Sequence, residues 1–150
     1  MPERDILDLE HFLPYRLSVL SNRISQDIAR LYADRFGLGI TEWRVLAVLG
    51  RRDDLSAREV AERTAMDKVA VSRAVASLQA AGRIERDTHG DDRRRSVLRL
   101  SPAGRAIYED VAPMALAYQR RLLEGLDPDE RATLDRLLTR VEEREAATRD

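Results

Sequence analysis

The segment HGDDRRRSVLRLS, residues 89–101, places three consecutive arginines directly after two aspartates. Arginine binds phosphate and guanine through paired hydrogen bonds, and a neighbouring carboxylate can fix the direction of a guanidinium group. An ordinary solvated turn can contain the same charges. The segment by itself therefore leaves two interpretations open: a surface turn, or a group of side chains that contacts nucleic acid.

A second set of polar residues lies earlier in the chain, in the segment KVAVSR. Lys68 can neutralise a phosphate, Ser72 can reach a phosphate or a base, and Arg73 can bind O6 and N7 of a guanine. Ala70 is small enough to let the backbone approach base edges. Arg73 could instead pair with an acidic neighbour such as Asp67 and contact no base.

Two short helices are predicted to carry this second set. Ser56 and Glu59 have the spacing of a capping box, in which each side chain bonds the backbone amide of the other residue. Asp67 can cap the next helix, which Gly82 would end. Two short helices joined by a tight turn form a helix-turn-helix. The start of a helix also attracts anions, so Ser56 could contact a phosphate as well.

The arginine run lies between two segments that alternate as β-strands do, RIER and SVLRL. A hairpin that directly follows a helix-turn-helix would act as a wing, and its basic tip suits the narrow minor groove of A·T tracts. Arg94 is the strongest single candidate for that contact, and Asp92 would orient it. Arg93 and Arg95 would steer the wing towards DNA.

Longer helices are predicted on both sides of this part. Leucines and isoleucines recur every three or four residues between 11 and 37, which predicts one helix of roughly 35 Å. A short buried helix with Thr41 as its N-cap and Gly50 at its end would follow. Residues 102–148 predict two further helices. The fold class is mainly α with a small β-hairpin, in a single domain of 150 residues.

Composition narrows the function classes. There is no cysteine, which excludes disulfides and thiol chemistry. The net charge is −1, but residues 56–100 contain ten basic against seven acidic side chains, and residues 124–150 contain five against nine. A basic middle and an acidic tail favour a local anion-binding surface. No apolar stretch predicts a membrane span or a signal peptide, so we expect a cytoplasmic protein.

An enzyme is not expected from the motifs. There is no glycine-rich phosphate loop and no His-Glu-x-x-His sequence. The two histidines, His11 and His89, are far apart and have no neighbouring ligand set, so we expect no metal and no cofactor.

The chain resembles the MarR-type winged helix-turn-helix regulators over residues 11–145. The resemblance is carried by EWRVLAVL, by LSAREVAERTAMDKVAVSRAVASLQAAGRIER and by DDRRRSVLRLSPAG, in which Asp92 and Arg94 occupy the wing signature and Ser101 replaces threonine. It implies a homodimer joined by helices within 11–37 and 102–148, with 40–100 as the DNA-binding part. Two recognition helices would then enter successive major grooves of a pseudo-palindromic operator, about 34–36 Å apart.

The segment FLPYRLSVLSNRIS also resembles a branch of these regulators that senses aromatic carboxylates or their thioesters. This resemblance implies that Arg16 is the counter-ion of a phenolic or aromatic carboxylate effector, with Tyr15, Ser21 and Tyr118 beside it. Arg16 could equally be a surface residue whose aliphatic part covers apolar side chains.

The sequence therefore predicts a homodimeric, sequence-specific regulator of transcription that binds double-stranded DNA, a repressor released by a small aromatic acid. The alternative is a helical dimerisation adaptor whose basic hairpin has no specific partner.

Overall fold

The computed structural model describes residues 4–88 and 96–149. In these residues, a 3₁₀ turn over Leu9–His11 precedes seven helices and two strands. The elements are α1 (Leu13–Ala29), α2 (Ala33–Phe36), α3 (Ile40–Arg51), α4 (Ala57–Thr64), α5 (Lys68–Ala80), β1 (Ile84–Asp87), β2 (Val97–Leu100), α6 (Pro102–Leu122) and α7 (Pro128–Ala147). The prediction of a mainly helical winged helix-turn-helix chain with a small hairpin is confirmed.

The chain forms two compact units, Met1–Met114 and Ala115–Asp150, and α6 contributes residues to both. The hydrophobic core lies in the first unit. Val45, Leu46 and Leu49 of α3 are fully buried there, and Leu78 of α5 and Leu98 of β2 are 0–1% exposed. The helix-turn-helix and the hairpin therefore share one core. No helix in the described part of the chain is long and apolar enough to cross a membrane.

The prediction of one continuous helix over residues 11–37 is wrong. Helix α1 ends at Ala29, a turn follows, and α2 begins at Ala33. The break occurs because Tyr32 leaves helical geometry (φ −132°, ψ −22°) and is 1% exposed in the core. Its ring centroid lies 5.6 Å from that of Trp43. Burial of this large ring outweighs the helical spacing of the leucines around it.

The start of α3 also differs from the prediction. Gly39, not Thr41, is the N-cap residue, and its N–H donates a 3.0 Å hydrogen bond to the Glu42 carboxylate. The helix continues one residue beyond Gly50, to Arg51. A Cβ at Gly50 would overlap the ring of Tyr108, so glycine is required there for packing and not to end the helix.

The hairpin is antiparallel, with Ile84 opposite Leu100 and Asp87 opposite Val97. Leu98 also forms a bridge with Leu55, which precedes α4. The hairpin is therefore bonded to the helix-turn-helix through its second strand as well as through the core.

The segment SPAG joins the hairpin to α6. The buried Ser101 hydroxyl donates a 2.6 Å bond to the carbonyl of Gly82 and accepts one of 3.1 Å from the N–H of Gly104. A Cβ at Gly104 would overlap the carbonyl oxygen of Arg83. The serine and the glycine of this segment thus let the start of α6 pack directly against the end of the α5–β1 connection.

Candidate nucleic-acid interface

The capping box at the start of α4 forms as predicted. The hydroxyl of Ser56 accepts a 3.1 Å hydrogen bond from the N–H of Glu59, and the Glu59 carboxylate accepts one of 3.2 Å from the N–H of Ser56. The bond from the Ser56 backbone is the main reason that the pKa of Glu59 lies below its usual range, and the Ser56 hydroxyl adds to it. Ser56 is half-buried and keeps its hydroxyl hydrogen for a further acceptor, such as a phosphate oxygen.

Helix α5 is positioned by both its cap and its apolar face. The Asp67 carboxylate accepts a 3.2 Å hydrogen bond from the N–H of Ala70, as predicted. The turn before it is tight, since Ala65 has the left-handed φ of +51°. Four residues face the core: Val71, Ala74, Val75 and Leu78. This packing fixes the opposite face of α5 towards solvent.

The predicted DNA-contacting residues of α5 lie on or beside its solvent face. Lys68, Ser72 and Arg73 are exposed, and Ala70 is half-buried. Arg73 makes no hydrogen bond or ion pair with any residue in 4–88 or 96–149. Asp67 is used as a cap. The Arg73 guanidinium is therefore available to a ligand.

The surfaces on the two sides of α5 differ in charge. On the side of α4 and β1, a groove of about 410 Å³ is lined by Arg58, Lys68, Ser72 and Arg86, among others. On the side of α3, a groove of about 400 Å³ is lined by Arg73 together with Glu42. The first groove concentrates positive charge beside the exposed face of α5, as a phosphate-binding flank would.

The base of the hairpin is held by ion pairs that sequence analysis missed. Arg99 of β2 lies 2.8 Å from the Asp54 carboxylate and 3.3 Å from that of Asp87. Arg105 of α6 lies 3.1 Å from Asp53, which also accepts a 3.3 Å bond from the N–H of Leu100. Asp53 and Asp54 belong to the segment RRDD before α4. The contacts that reach Asp53 and Asp54 join residues more than 40 positions apart, which no local spacing indicates.

The predicted wing residues Asp92, Arg93, Arg94 and Arg95 lie outside the described residues. The structure describes the two strands on either side of them. Those strands pair from Ile84–Leu100 to Asp87–Val97 and carry the ion pairs at their base.

The predicted effector residues on α1 line two different cavities. Tyr15 and Arg16 are exposed and line a surface groove along α1. Ser21 instead lines a cavity of about 400 Å³ together with Trp43 and Arg44. Tyr118 is half-buried on α6, in the second unit.

Arg44 is a residue of the Ser21 cavity that sequence analysis did not single out. Its guanidinium donates a 2.9 Å hydrogen bond to the Ser25 hydroxyl and lowers the pKa of Tyr32, although burial is the larger effect and raises that pKa overall. In the sequence, Arg44 could have been noticed as a cation within the otherwise apolar run WRVLAVLG. In the described residues, no group of acidic or histidine side chains could hold a metal ion.

Comparison with known proteins agrees with this geometry. The family model described as MarR family matches residues 36–95, which include α3, the helix-turn-helix and β1. No curated protein matches the sequence.

Three solved structures are similar to the chain. A MarR/EmrR family transcriptional regulator from Acinetobacter sp. ADP1 is 28% identical, with a TM-score of 0.86 over 94% of this chain and 99% of that one. A probable transcriptional regulator from Pseudomonas aeruginosa is 32% identical, with a TM-score of 0.67 over 87% and 99%. Bordetella bronchiseptica BpsR, whose DNA binding is regulated by 6-hydroxynicotinic acid, is 24% identical, with a TM-score of 0.78 over 91% and 97%, and shows the fold alone.

Proposed function

The MarR family model matches residues 36–95, and we propose that the chain is a MarR-family transcriptional regulator, a homodimeric repressor in the cytoplasm. It binds a specific double-stranded operator, and a small aromatic acid releases it. The observation that carries this proposal is the solvent face of α5. Two cations, Lys68 and Arg73, lie there with Ser72, on a helix whose opposite face is buried in the core.

Helix α5 is the proposed recognition helix. Its N-terminal end would enter the major groove, with Arg73 on a guanine and Ser72 on a base or phosphate. Lys68 would bind the backbone, and the half-buried Ala70 would leave room for the approach of the helix. The start of α4 is the second backbone contact, since Ser56 lies at a helix N-terminus.

The wing is the proposed minor-groove contact. We place Arg94 in the groove, Asp92 as the group that orients it, and Arg93 and Arg95 as steering charges, on the grounds of the sequence motif. Support comes from the strands that carry the motif. Arg99 ties β2 to the loop before α4, so the hairpin starts from a fixed base.

The homodimer is proposed from the apolar faces of the terminal helices. In α1, Leu13, Leu17 and Leu20 are 41–51% exposed. In α7, four apolar residues are 38–45% exposed: Leu134, Leu137, Leu138 and Val141. Contiguous apolar surface of this kind is covered in stable proteins, and a second copy related by a two-fold axis would cover it. Two copies would also present two α5 helices to a pseudo-palindrome.

The effector is proposed to be a phenolic or aromatic carboxylate. The Ser21 cavity offers apolar walls, an aromatic ring from Trp43 and a cation from Arg44. Arg16, Tyr15 and Tyr118 remain proposed contacts of the effector. BpsR, a protein of the same fold, is regulated by 6-hydroxynicotinic acid, which is an aromatic carboxylate of the class proposed here. Such a ligand releases DNA only if it binds the form that does not bind DNA more tightly.

The DNA-binding proposal is tested by fluorescence anisotropy with duplexes selected from a randomised pool. We expect affinity to fall steeply with salt, as counterion release requires. Arg73→Ala should lose about 1–3 kcal/mol on the selected duplex and relax the preference at one base pair. Arg149→Ala, which removes the same charge near the C-terminus, is the control and should change affinity little. Absence of binding at low salt would favour the dimerisation adaptor.

The effector proposal is tested by thermal shift with phenolic and cinnamic acids. We expect stabilisation of the wild type and its loss in Arg16→Ala if Arg16 is the counter-ion. Arg44→Ala is the matched comparison on the Ser21 cavity. Stabilisation that Arg16→Ala keeps and Arg44→Ala loses would transfer the counter-ion role to Arg44. Stabilisation kept in both would contradict a carboxylate held by either arginine.

A further inference from the structure

Val69 interrupts the burial pattern of α5. The other valines of the helix, Val71 and Val75, are 2% and 3% exposed, whereas Val69 is 56% exposed and belongs to no part of the apolar core. A β-branched residue is also a poorer helix former than alanine. Neither packing nor helix stability therefore accounts for an isopropyl group at this position.

The neighbours of Val69 lie on the surface proposed to face DNA. Ser72, Arg73 and Ala76 follow it at spacings of three, four and seven residues, which places all four on one face of the helix, and all are exposed. Val69 is the second residue of α5. In helix-turn-helix proteins the N-terminal residues of the recognition helix reach the base edges.

An apolar side chain at this position selects for an apolar group on the DNA. The major groove offers one on its base edges, the 5-methyl group of thymine. We propose that Val69 contacts a thymine methyl and is thereby a specificity-determining residue, an inference that rests on the DNA-binding function proposed above. The basic groove formed with Arg58, Lys68 and Arg86 would hold the phosphate backbone beside it.

The spacing within α5 adds a constraint on the operator. Val69 and Arg73 are four residues apart, which is about 6 Å along a helix axis. Successive bases on one strand rise about 3.4 Å. The thymine that Val69 contacts should thus lie within about two base pairs of the guanine that Arg73 binds. Ala76, the next residue on this face, is small and does not hold the helix away from the groove.

The test removes the methyl groups that would meet in this contact, those of thymine in the DNA and those of Val69 in the protein. The best duplex from a randomised pool is remade with deoxyuridine in place of each thymine, one symmetric pair at a time. For the wild type, one such pair should weaken binding about four-fold per half-site, the fold-change that corresponds to ~0.8 kcal/mol for one buried carbon group. Val69→Ala, an exposed change to a better helix former, should bind thymine and uracil duplexes equally.

Lys68→Ala is the matched control. It should weaken both duplexes by the same factor and keep the difference between them at about four-fold per half-site. The inference is overturned if no uracil replacement weakens the wild type, or if Val69→Ala keeps the difference. A wild type that binds the selected duplex tightly and salt-dependently with no methyl effect overturns this inference alone. A wild type that binds no duplex at low salt overturns the proposed function as well.

Discussion

The leucines of α3 and those of the terminal helices α1 and α7 differ in burial. In α3, Leu46 and Leu49 are fully buried within the single chain. In α7 no residue is buried, and Leu137 and Leu138 are 45% and 43% exposed. Helix α1 likewise has no buried residue. The same spacing of apolar residues therefore builds a core in one region and leaves an open face in the other.

This difference indicates which region is complete in one copy. The helix-turn-helix satisfies its caps, its core and its hairpin base from its own chain. Helix α7 forms its capping box, but the apolar faces of α1 and α7 remain open to solvent. Their folding into a stable structure should therefore depend on protein concentration, which the helix-turn-helix core should not.

The largest effect is expected from Leu46→Ala. It should lower the free energy of unfolding by about 2–5 kcal/mol, because a fully buried leucine leaves a cavity. Chemical denaturation measures this loss. As long as the oligomeric state stays the same, the loss of free energy should not change with protein concentration. A loss below about 1 kcal/mol would mean that the α3 core is not as tightly packed as described.

The same change on the open face should act on association. Leu137→Ala should leave the helix content intact and weaken the dimer about 30-fold, since two half-buried leucines are lost per dimer at about 1 kcal/mol each. Sedimentation equilibrium measures this constant. A dimer of unchanged strength would place the interface on another surface.

A smaller effect is expected at the cap of α4. Ser56→Ala should lower the free energy of unfolding by about 1 kcal/mol, through the loss of the hydrogen bond from the N–H of Glu59. Ser56→Asp, which also caps well, is the matched control and should restore most of this loss. An equal loss in both variants would show that the hydroxyl makes a contact other than the cap.

The smallest effect concerns pH. The pKa values of Glu59 and of Asp127, which caps α7, are lowered chiefly by backbone hydrogen bonds. A lowered pKa in the folded state gives stability that is present above the unfolded pKa and is lost as pH falls through the folded value. Glu59→Gln should therefore show a flatter Tm as the pH falls from about 4.3, the usual pKa of glutamate, to about 3. A slope as steep as in the wild type would remove Glu59 as a source of acid sensitivity.

What the sequence predicts well is local. The caps by Ser56 and Asp67 were predicted because each depends on residues within three positions. The end of the first helix was not, because Tyr32 leaves the helix to fill a core made by distant residues. The hairpin base was missed for the same reason, since Arg99 meets Asp54 only after folding.

The candidate site shows the same division. The exposure of Lys68, Ser72 and Arg73 followed from the apolar face of α5, which helical spacing shows. Val69 was not singled out, because a valine in the apolar segment VAV is expected in the core until its exposure is known. Arg44 was hidden in an apolar run, and its place beside Ser21 depends on how α1 packs on α3.

Two copies of the chain should bind one duplex through α5, and hydroxyl-radical footprinting on the selected duplex tests this binding mode. We predict two protected centres about 34–36 Å apart, one helical turn, with two chains per duplex. Arg73→Ala should lose both centres at the concentration that saturates the wild type. A single protected centre with one chain per duplex, or protection that Arg73→Ala leaves unchanged, would contradict the account.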